Sequence, residues 1–260
     1  MMYLTVCLTA VLASALTLFS GFGLGTVLLP AFAIFFPTEI AVALTAIVHL
    51  LNNLFKFVLV GRHADRRVVM RFGLPALVAS FVGAAMLLLL THRGVLYSYS
   101  LGGKQCDITL ISVIVAFLML AFATLELWDL ENRFQIKSAS LPYGGLLSGF
   151  FGGLSGHQGA LRAAFLVRSG LDKQAYIATG VVIACMIDVA RLLVYSSDVS
   201  ISLLRANGTL LAVAAGSAFL GAFVGVRLMP KVTLRFVRML VAVLLALMSV
   251  AMGTGLLDRH

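Results

Sequence analysis

Two basic side chains lie inside segments that are otherwise apolar. Lys56 and Arg191 lie in the apolar spans 39–60 and 174–195, and each follows a polar residue by three positions, Asn53 and Asp188 respectively. Ionisable residues are costly in hydrocarbon, so their presence indicates a pathway for a charged substrate, and a fixed positive charge favours an anion. Snorkelling is the alternative, because both residues lie within about two turns of a span end and long basic side chains can reach the interface.

A glycine-rich break in an apolar segment occurs twice, as LTLFSGFGLGTVLLP and as GLLSGFFGGLSGHQGALRAAF. Such a break frees backbone N–H groups, and the half-helix that follows it presents partial positive charge that can receive an anion. The predicted anion-binding residues are Ser20, Gly21, Gly23, Gly25 and Thr26 in the first break and Ser155, Gly156, His157, Gln158 and Gly159 in the second. The alternative is that the glycines only allow close helix packing.

Three further side chains are assigned to binding or coupling. Arg162 follows the second break and lies on the arm that would point at the anion, although it could instead anchor the chain at the cytoplasmic face. His49 can titrate near neutral pH, so His49 and Asp188 are the predicted coupling groups. Two structural alternatives stand beside this: His49 can hold helices together by hydrogen bonding, and Asp188 can pair with Arg191 one helical turn away.

Composition identifies the class of protein that must position these residues. The chain has 260 residues, of which 61% are hydrophobic and 11% charged, with a mean hydropathy of +1.07. These values are typical of an all-α polytopic membrane protein. The net charge of +9 comes from residues placed between apolar runs rather than on one basic face, so no nucleic-acid partner is expected. The three cysteines are isolated, and no disulfide, metal or cofactor is expected.

Six apolar runs are long enough to cross a bilayer, at 39–60, 69–91, 108–127, 174–195, 208–228 and 234–256, and the broken segments cover 3–36 and 139–168. Cytoplasmic loops are enriched in Lys and Arg. If each broken segment is a re-entrant hairpin, twelve basic loop residues lie inside and four outside. The inside set is Arg62, Arg66, Arg67, Arg71, Arg133, Lys137, Arg168, Lys173, Arg227, Lys231, Arg235 and Arg238, and the outside set is Arg93, Lys104, Arg205 and Arg259. Eight full spans would divide the same residues eight to eight.

The re-entrant arrangement has a consequence for symmetry. Each half, 1–130 and 131–260, then contains one broken segment and three transmembrane helices, and an odd number of crossings inverts the second half relative to the first. An offset of 135 aligns Asn53 with Asp188 and Lys56 with Arg191, and an offset of 138 aligns Gly83 with Gly221. The sequence therefore predicts two inverted repeats within a single membrane domain.

Three stretches together resemble the TauE/SafE family of sulfite and organosulfonate exporters: SGFGLGTVLLP, HLLNNLFKFVLVGRHADRRV and GLSGHQGALRAAFLVRSGLD. The resemblance covers essentially the whole chain. It implies a multi-pass permease of the bacterial inner membrane that moves small sulfur-containing or carboxylate anions, and it marks Asn53 and Lys56 as pathway residues. The second break departs from the family pattern, with His157 and Gln158 and no following proline, so we expect it to set substrate choice.

The leading hypothesis is a secondary transporter that exports a small anion by alternating access, with no enzymatic activity. Its expected partners are the anionic substrate and the lipid bilayer, and a homodimer is compatible with the sequence. An anion channel is the alternative, because the same breaks and basic residues can line a constriction. A third hypothesis is an intramembrane serine protease, since Gly153 to Gly156 reads GLSG. His49 would then have to act as the base, because His157 lies too close to Ser155 in sequence.

Overall fold

The structure, a computed structural model, describes residues 1–17, 24–102, 104–127, 140–167, 169–197, 206–228 and 234–257. Helices dominate these ranges, and α4 includes a π-helical turn at Val69–Gly73. The helices are α1 (Met2–Thr17), α2 (Leu24–Ala33), α3 (Thr38–Val60), α4 (Arg66–Thr91), α5 (Leu110–Leu127), α6 (Leu141–Ser155), α7 (Gly159–Leu166), α8 (Lys173–Tyr195), α9 (Gly208–Leu228) and α10 (Leu234–Gly253).

Six of these helices coincide with the six predicted spans. By length and composition, α3, α4, α8 and α9 are apolar enough to cross a membrane, and α5 and α10 contain shorter apolar stretches. The apolar core lies mainly between α1, α2, α3, α5, α9 and α10. The predicted class, an all-α polytopic membrane protein, is confirmed.

One element was missed by the sequence interpretation. Strands β1 (Val95–Leu101) and β2 (Lys104–Thr109) form an antiparallel hairpin before α5, and β2 includes the first two residues of the predicted span at 108–127. The run VLYSYSL alternates and is followed by two glycines, a pattern typical of a tight β-turn. The Tyr99 hydroxyl donates a 2.6 Å hydrogen bond to the Thr254 carbonyl, so the β-hairpin lies at the end of the molecule where α10 finishes.

The second broken segment folds back on itself. Helix α6 ends at Gly156, whose φ of 82° lies in the left-handed region that glycine adopts readily. The Ser148 hydroxyl donates a 3.0 Å hydrogen bond to the Gln158 carbonyl just before α7. A Cβ on Gly144, near the start of α6, would collide with the Phe165 ring near the end of α7. The start of α6 and the end of α7 therefore lie at the same end of the molecule. This is the shape expected of a re-entrant segment.

Each broken segment packs against a helix of the other half. Helix α1 lies against α2 and α9, and α6 lies against α4 and α7. A Cβ on Gly221 of α9 would collide with the Val11 backbone in α1, and a Cβ on Gly83 of α4 would collide with the Phe150 backbone in α6. Gly83 and Gly221 are the residues aligned at an offset of 138. Aligned glycines thus make equivalent contacts with the opposite half.

The helices that occupy equivalent places in the two halves run antiparallel where they contact each other. The Asp65 N–H, just after α3, donates a 2.9 Å hydrogen bond to the Thr179 hydroxyl in the first part of α8. The Ser249 hydroxyl, near the end of α10, donates a 2.8 Å hydrogen bond to the Ala116 carbonyl, near the start of α5. Antiparallel pairing is the arrangement expected of inverted repeats, and the inversion itself stays a prediction.

The α3–α4 loop and the start of α8 form what we call the basic end. Arg62, Arg66, Arg67 and Arg71 belong to this loop or the turn after it, and Lys173 begins α8 beside it. Arg93 and the β-hairpin lie at the opposite end. Six other basic residues of the predicted distribution lie outside the described residues: Arg133, Lys137, Arg168, Arg205, Lys231 and Arg259. The predicted distribution of twelve to four stays a prediction.

Candidate functional site

The two broken segments meet inside the protein. A Cβ on Gly25, in the first turn of α2, would lie 3.7 Å from the Gly156 carbonyl oxygen and 3.7 Å from Cδ2 of His49. Gly156 in turn faces Arg191, since a Cβ on Gly156 would lie 2.8 Å from the Arg191 Nη1 atom. We call this place, defined by Gly25, Gly156 and Arg191, the junction. It brings α2, the turn between α6 and α7, and α8 together.

Asp188 accepts five hydrogen bonds beside the junction. Its Oδ2 accepts from Nδ1 of His49 at 2.6 Å and from Nδ2 of Asn53 at 3.3 Å, both on α3. Its Oδ1 accepts from Nε2 of Gln158 at 3.2 Å and from Nε and Nη2 of Arg191 at 3.0 and 2.7 Å. The carboxylate is fully buried. Buried charges require this degree of pairing, so Asp188 links α3, α8 and the second break into one polar network.

The buried basic residues do not reach the surface of the protein. Arg191 is 0% exposed and paired with Asp188, and Lys56 is 8% exposed. Snorkelling requires the charged group to leave the interior, so it does not describe Arg191 and fits Lys56 poorly. Arg162 is 9% exposed and donates from Nη1 to Oε1 of Gln158 at 3.2 Å. The alternative of a surface anchor for Arg162 is therefore wrong.

Among the described residues, four buried hydrogen-bonding atoms have no partner, three of them on residues at or next to the junction and one on Asn52 of α3. In the described part of the chain these atoms are Oγ1 of Thr45, Nδ2 of Asn52, Nε2 of His157 and Nη1 of Arg191. Thr45 approaches Gly25, since a Cβ on that glycine would lie 3.6 Å from Cγ2 of the threonine. An unpaired buried donor is destabilising, typically by about 1–3 kcal/mol, and native proteins satisfy nearly all such donors. Nη1 of Arg191, Nδ2 of Asn52 and the Thr45 hydroxyl are therefore donors to which a polar ligand can bind. Nε2 of neutral His157 is an acceptor, because Nδ1 donates to the Ser155 hydroxyl.

Ser155 and His157 form a close pair at the end of α6. Nδ1 of His157 lies 3.0 Å from the Ser155 hydroxyl, which also donates to the Phe151 carbonyl at 3.2 Å. Sequence proximity made His157 no obvious base, but the left-handed turn at Gly156 brings its ring back to the Ser155 hydroxyl. The His157 ring stacks on Phe122, with centroids 5.4 Å apart. Nε2 of His157 has no partner, so no third group orients this pair as a catalytic base requires.

The remaining predicted binding residues do not all lie at the junction. Thr26 is buried and lines a separate cavity of about 140 Å³ between α1, α2 and α10, together with Thr5 and Thr9. Gly159 begins α7, one residue beyond Gln158. Three residues of the first predicted cradle lie outside the described residues: Ser20, Gly21 and Gly23. That any of these residues binds substrate stays a prediction.

The family model described as sulfite exporter TauE/SafE matches residues 6–252. The chain belongs to the TauE/SafE sulfite exporter family. The match spans both broken segments and all six long helices, and the membership supports a membrane transporter of the sulfite or sulfonate exporter type. No curated protein matches the chain.

Two features of this TauE/SafE protein were missed at the sequence level. Gly145, Gly149 and Gly153 lie on one face of α6, where Cβ atoms would collide with the backbone of α4 at Phe72, Ala76 and Ser80. Their spacing of four was the available signal, since small residues repeated at this interval favour close helix contact. The second feature is the contact of His49 and Gln158 with Asp188. Nothing in the local spacing predicts it, because the three side chains come from separate elements.

Proposed function

We propose that this protein is a secondary transporter that exports small sulfur-containing or organic anions, such as sulfite and sulfonates, across a bacterial inner membrane. Family membership supports the general class, and the sequence contains no nucleotide-binding loop through which ATP could drive transport. The substrate binds at the junction, which opens alternately to the two ends of the molecule.

The observation that carries the proposal is the unpaired Nη1 of Arg191 at the junction. Arg191 gives two donors to Asp188 and keeps Nη1 free, facing Gly156, while Nε2 of His157 is also unpaired nearby. Glycine at position 156 leaves space that any side chain would fill. An oxyanion placed there would accept a charge-assisted hydrogen bond from Nη1 of Arg191, and such bonds are roughly twice as strong as neutral ones.

The balance of buried charge also favours an anion. Among the described buried side chains Lys56, Arg162 and Arg191 are cationic, and Asp188 is the one carboxylate. With histidines neutral, this leaves an excess of two positive charges inside the protein. Uncompensated buried charge is strongly unfavourable, and an anionic substrate supplies the missing charge.

Alternating access is supported by the way each half packs against helices of the other half. Each broken segment packs on a helix of the other half, and α3 and α8 cross antiparallel beside the junction. Transporters with inverted repeats place the substrate between the repeats and alternate by rocking one against the other. If the basic end is cytoplasmic, as the positive-inside rule indicates, an inside-negative potential favours anion exit by about 2.3 kcal/mol per charge per 100 mV.

The test is efflux from liposomes that contain the purified protein and radiolabelled sulfite. A carrier gives saturable efflux that unlabelled sulfite on the opposite side accelerates, whereas a channel gives flux without this acceleration. Arg191→Gln should reduce flux at least about tenfold, because the charged donor at the junction is lost. Arg93→Gln, which changes an exposed arginine, is the matched control. The proposal fails if neither sulfite nor sulfoacetate shows protein-dependent flux.

A further inference from the structure

Solvent exposure increases along the polar interior towards the basic end. Gln158, Asp188 and Arg191 are each 0% exposed, whereas Lys56 is 8% and Arg162 is 9% exposed. Lys56 follows Asn53 by one turn on α3, which ends at the basic end. Arg162 follows Gln158 by one turn on α7, which also runs towards that end. The two least buried cations of the network therefore lie on its side towards the basic end.

Lys56 and Arg162 lack the counter-charge that Arg191 has. Neither forms an ion pair with a carboxylate in the described part of the chain, and the hydrogen bond of Arg162 goes to the neutral amide of Gln158. Asn53 and Gln158 both donate to Asp188, and Lys56 and Arg162 each lie one turn further towards the basic end, so the two cations lie on the same side of the network. Two buried like charges with no anion between them are unfavourable unless a ligand compensates them.

Gln158 separates these two cations from the junction. Its Oε1 accepts from Arg162 and its Nε2 donates to Asp188, which in turn holds Arg191. The amide is fully buried, and its backbone carbonyl is fixed by the Ser148 hydroxyl. The Gln158 amide thus lies between Arg162 and the Asp188–Arg191 pair.

We propose that Lys56 and Arg162 form a receiving site for the anion at the basic end, and that Gln158 separates this site from the junction. The ligand is a small oxyanion with at least one sulfonate, sulfite or carboxylate group, held by two cations. The anion is captured at the receiving site from the basic end and then moves to Arg191 when the Gln158 side chain swings away. This proposal rests on the proposed transport function and adds a second binding position to it.

The receiving site predicts an effect that depends on the side from which the anion enters. Lys56→Gln should raise the KM for sulfoacetate entering from the basic end about tenfold, because one of two cations is lost. The kcat from the basic end and the KM from the opposite end should stay within about twofold. Because the ratio of the two directional kcat/KM values is fixed by the driving force, the kcat from the opposite end should fall by the factor that the KM from the basic end rises. Lys56→Arg keeps the charge and should restore the KM, and Arg93→Gln should have no effect. Vesicles of the two orientations give the two KM values.

A labelling measurement keeps the proposal testable if Lys56→Gln folds poorly. In a variant without the native cysteines, Lys56→Cys should react with a charged methanethiosulfonate reagent from the basic end only, and sulfoacetate should slow the reaction. Reaction with the cationic aminoethyl reagent puts a positive charge back at position 56, so it should lower the KM of this variant again. Equal KM changes from both ends, or labelling unaffected by sulfoacetate, would overturn the receiving site. Absence of flux in the wild-type protein would instead count against the transport function.

Discussion

The Asn53 side chain donates a hydrogen bond to Asp188, the residue aligned with it at an offset of 135. Asn53 belongs to the first half of the chain and Asp188 to the second. The contact therefore places the Asp188 network at the interface of the two halves, between α3 and α8. This is also where transporters built from inverted repeats bind their substrates.

The first prediction concerns the Asp188 carboxylate. Asp188→Asn keeps the shape of the side chain but leaves Arg191 without a counter-charge and gives His49 a weaker, neutral acceptor. Removing one partner of a buried ion pair typically costs about 3–5 kcal/mol, so the thermal midpoint of the purified protein should fall markedly. The combination with Arg191→Gln removes both charges and should recover part of this loss. The measurement is thermal unfolding of the single and double variants in the same detergent.

Additive effects of the two substitutions would contradict the role of this pair. Residues that share one network show coupling energies of about 0.5–3 kcal/mol in such a cycle, whereas independent sites add within a few tenths. Arg93→Gln combined with Asp188→Asn provides the control, because Arg93 is exposed and lies at the opposite end from the basic loop.

Local sequence patterns predicted the helices well because a membrane span leaves a direct signal. A run of about 20 apolar residues identified α3, α4 and α8 within a few positions. The β-hairpin escaped because the interpretation followed hydrophobic length and did not use the alternation in VLYSYSL. The alternation of residues along a strand and the length of an apolar run are different signals, and the alternation is the one that identifies this segment.

The site was predicted in its residue types but not in its contacts. Ionisable residues in apolar helices were identified because they are costly in lipid. The hydrogen bonds of His49 and Gln158 to Asp188 depend on how α3, α8 and the second break pack together, which no local spacing encodes. The same holds for the pairing of His157 with Ser155, since it requires the positive φ of Gly156.

A second prediction separates backbone strain from the contact with Arg191 at Gly156. Gly156→Ala adds a Cβ 2.8 Å from Nη1 of Arg191 at a φ of 82°, so it should both strain the turn and displace the guanidinium. Gly170→Ala is the matched control, because its φ is 76° and a Cβ there would meet nothing within 4 Å. Strain alone costs about 1–2 kcal/mol. Sulfite efflux and thermal midpoints of both variants give the comparison.

Gly156→Ala should lose at least about tenfold in efflux while Gly170→Ala keeps nearly full activity, because only the first moves a group in the junction. Similar efflux from the two variants would show that the space beside Nη1 of Arg191 is not used by the substrate.

A third prediction tests the orientation of the two ends. Ser98 lies in the β-hairpin and Gln174 lies in the first turn of α8, at the basic end. In a variant without native cysteines, Ser98→Cys should react with an impermeant thiol reagent from outside the cell, and Gln174→Cys should react only after the cytoplasmic side is opened. The positive-inside rule gives this direction. Labelling of both cysteines from one side would contradict the assigned topology.

The last prediction concerns substrate recognition by His157. Nδ1 of His157 donates to the Ser155 hydroxyl, so Nε2 can donate to an anion only when the ring is doubly protonated. His157→Phe keeps an aromatic ring against Phe122 but removes Nε2, so the stacked packing should survive while this hydrogen bond to the anion is lost. A hydrogen bond to a charged group contributes about 1.5–3 kcal/mol, which corresponds to a rise in Kd of about 10- to 100-fold. The thermal midpoint without ligand should change little, because Ser155 retains its bond to the Phe151 carbonyl. Phe122→Leu is the complementary variant: it removes the stacking and keeps Nε2, so it should lower the midpoint more than it weakens sulfite binding. If His157→Phe binds sulfite as tightly as the wild-type protein, His157 packs the turn and does not contact the anion.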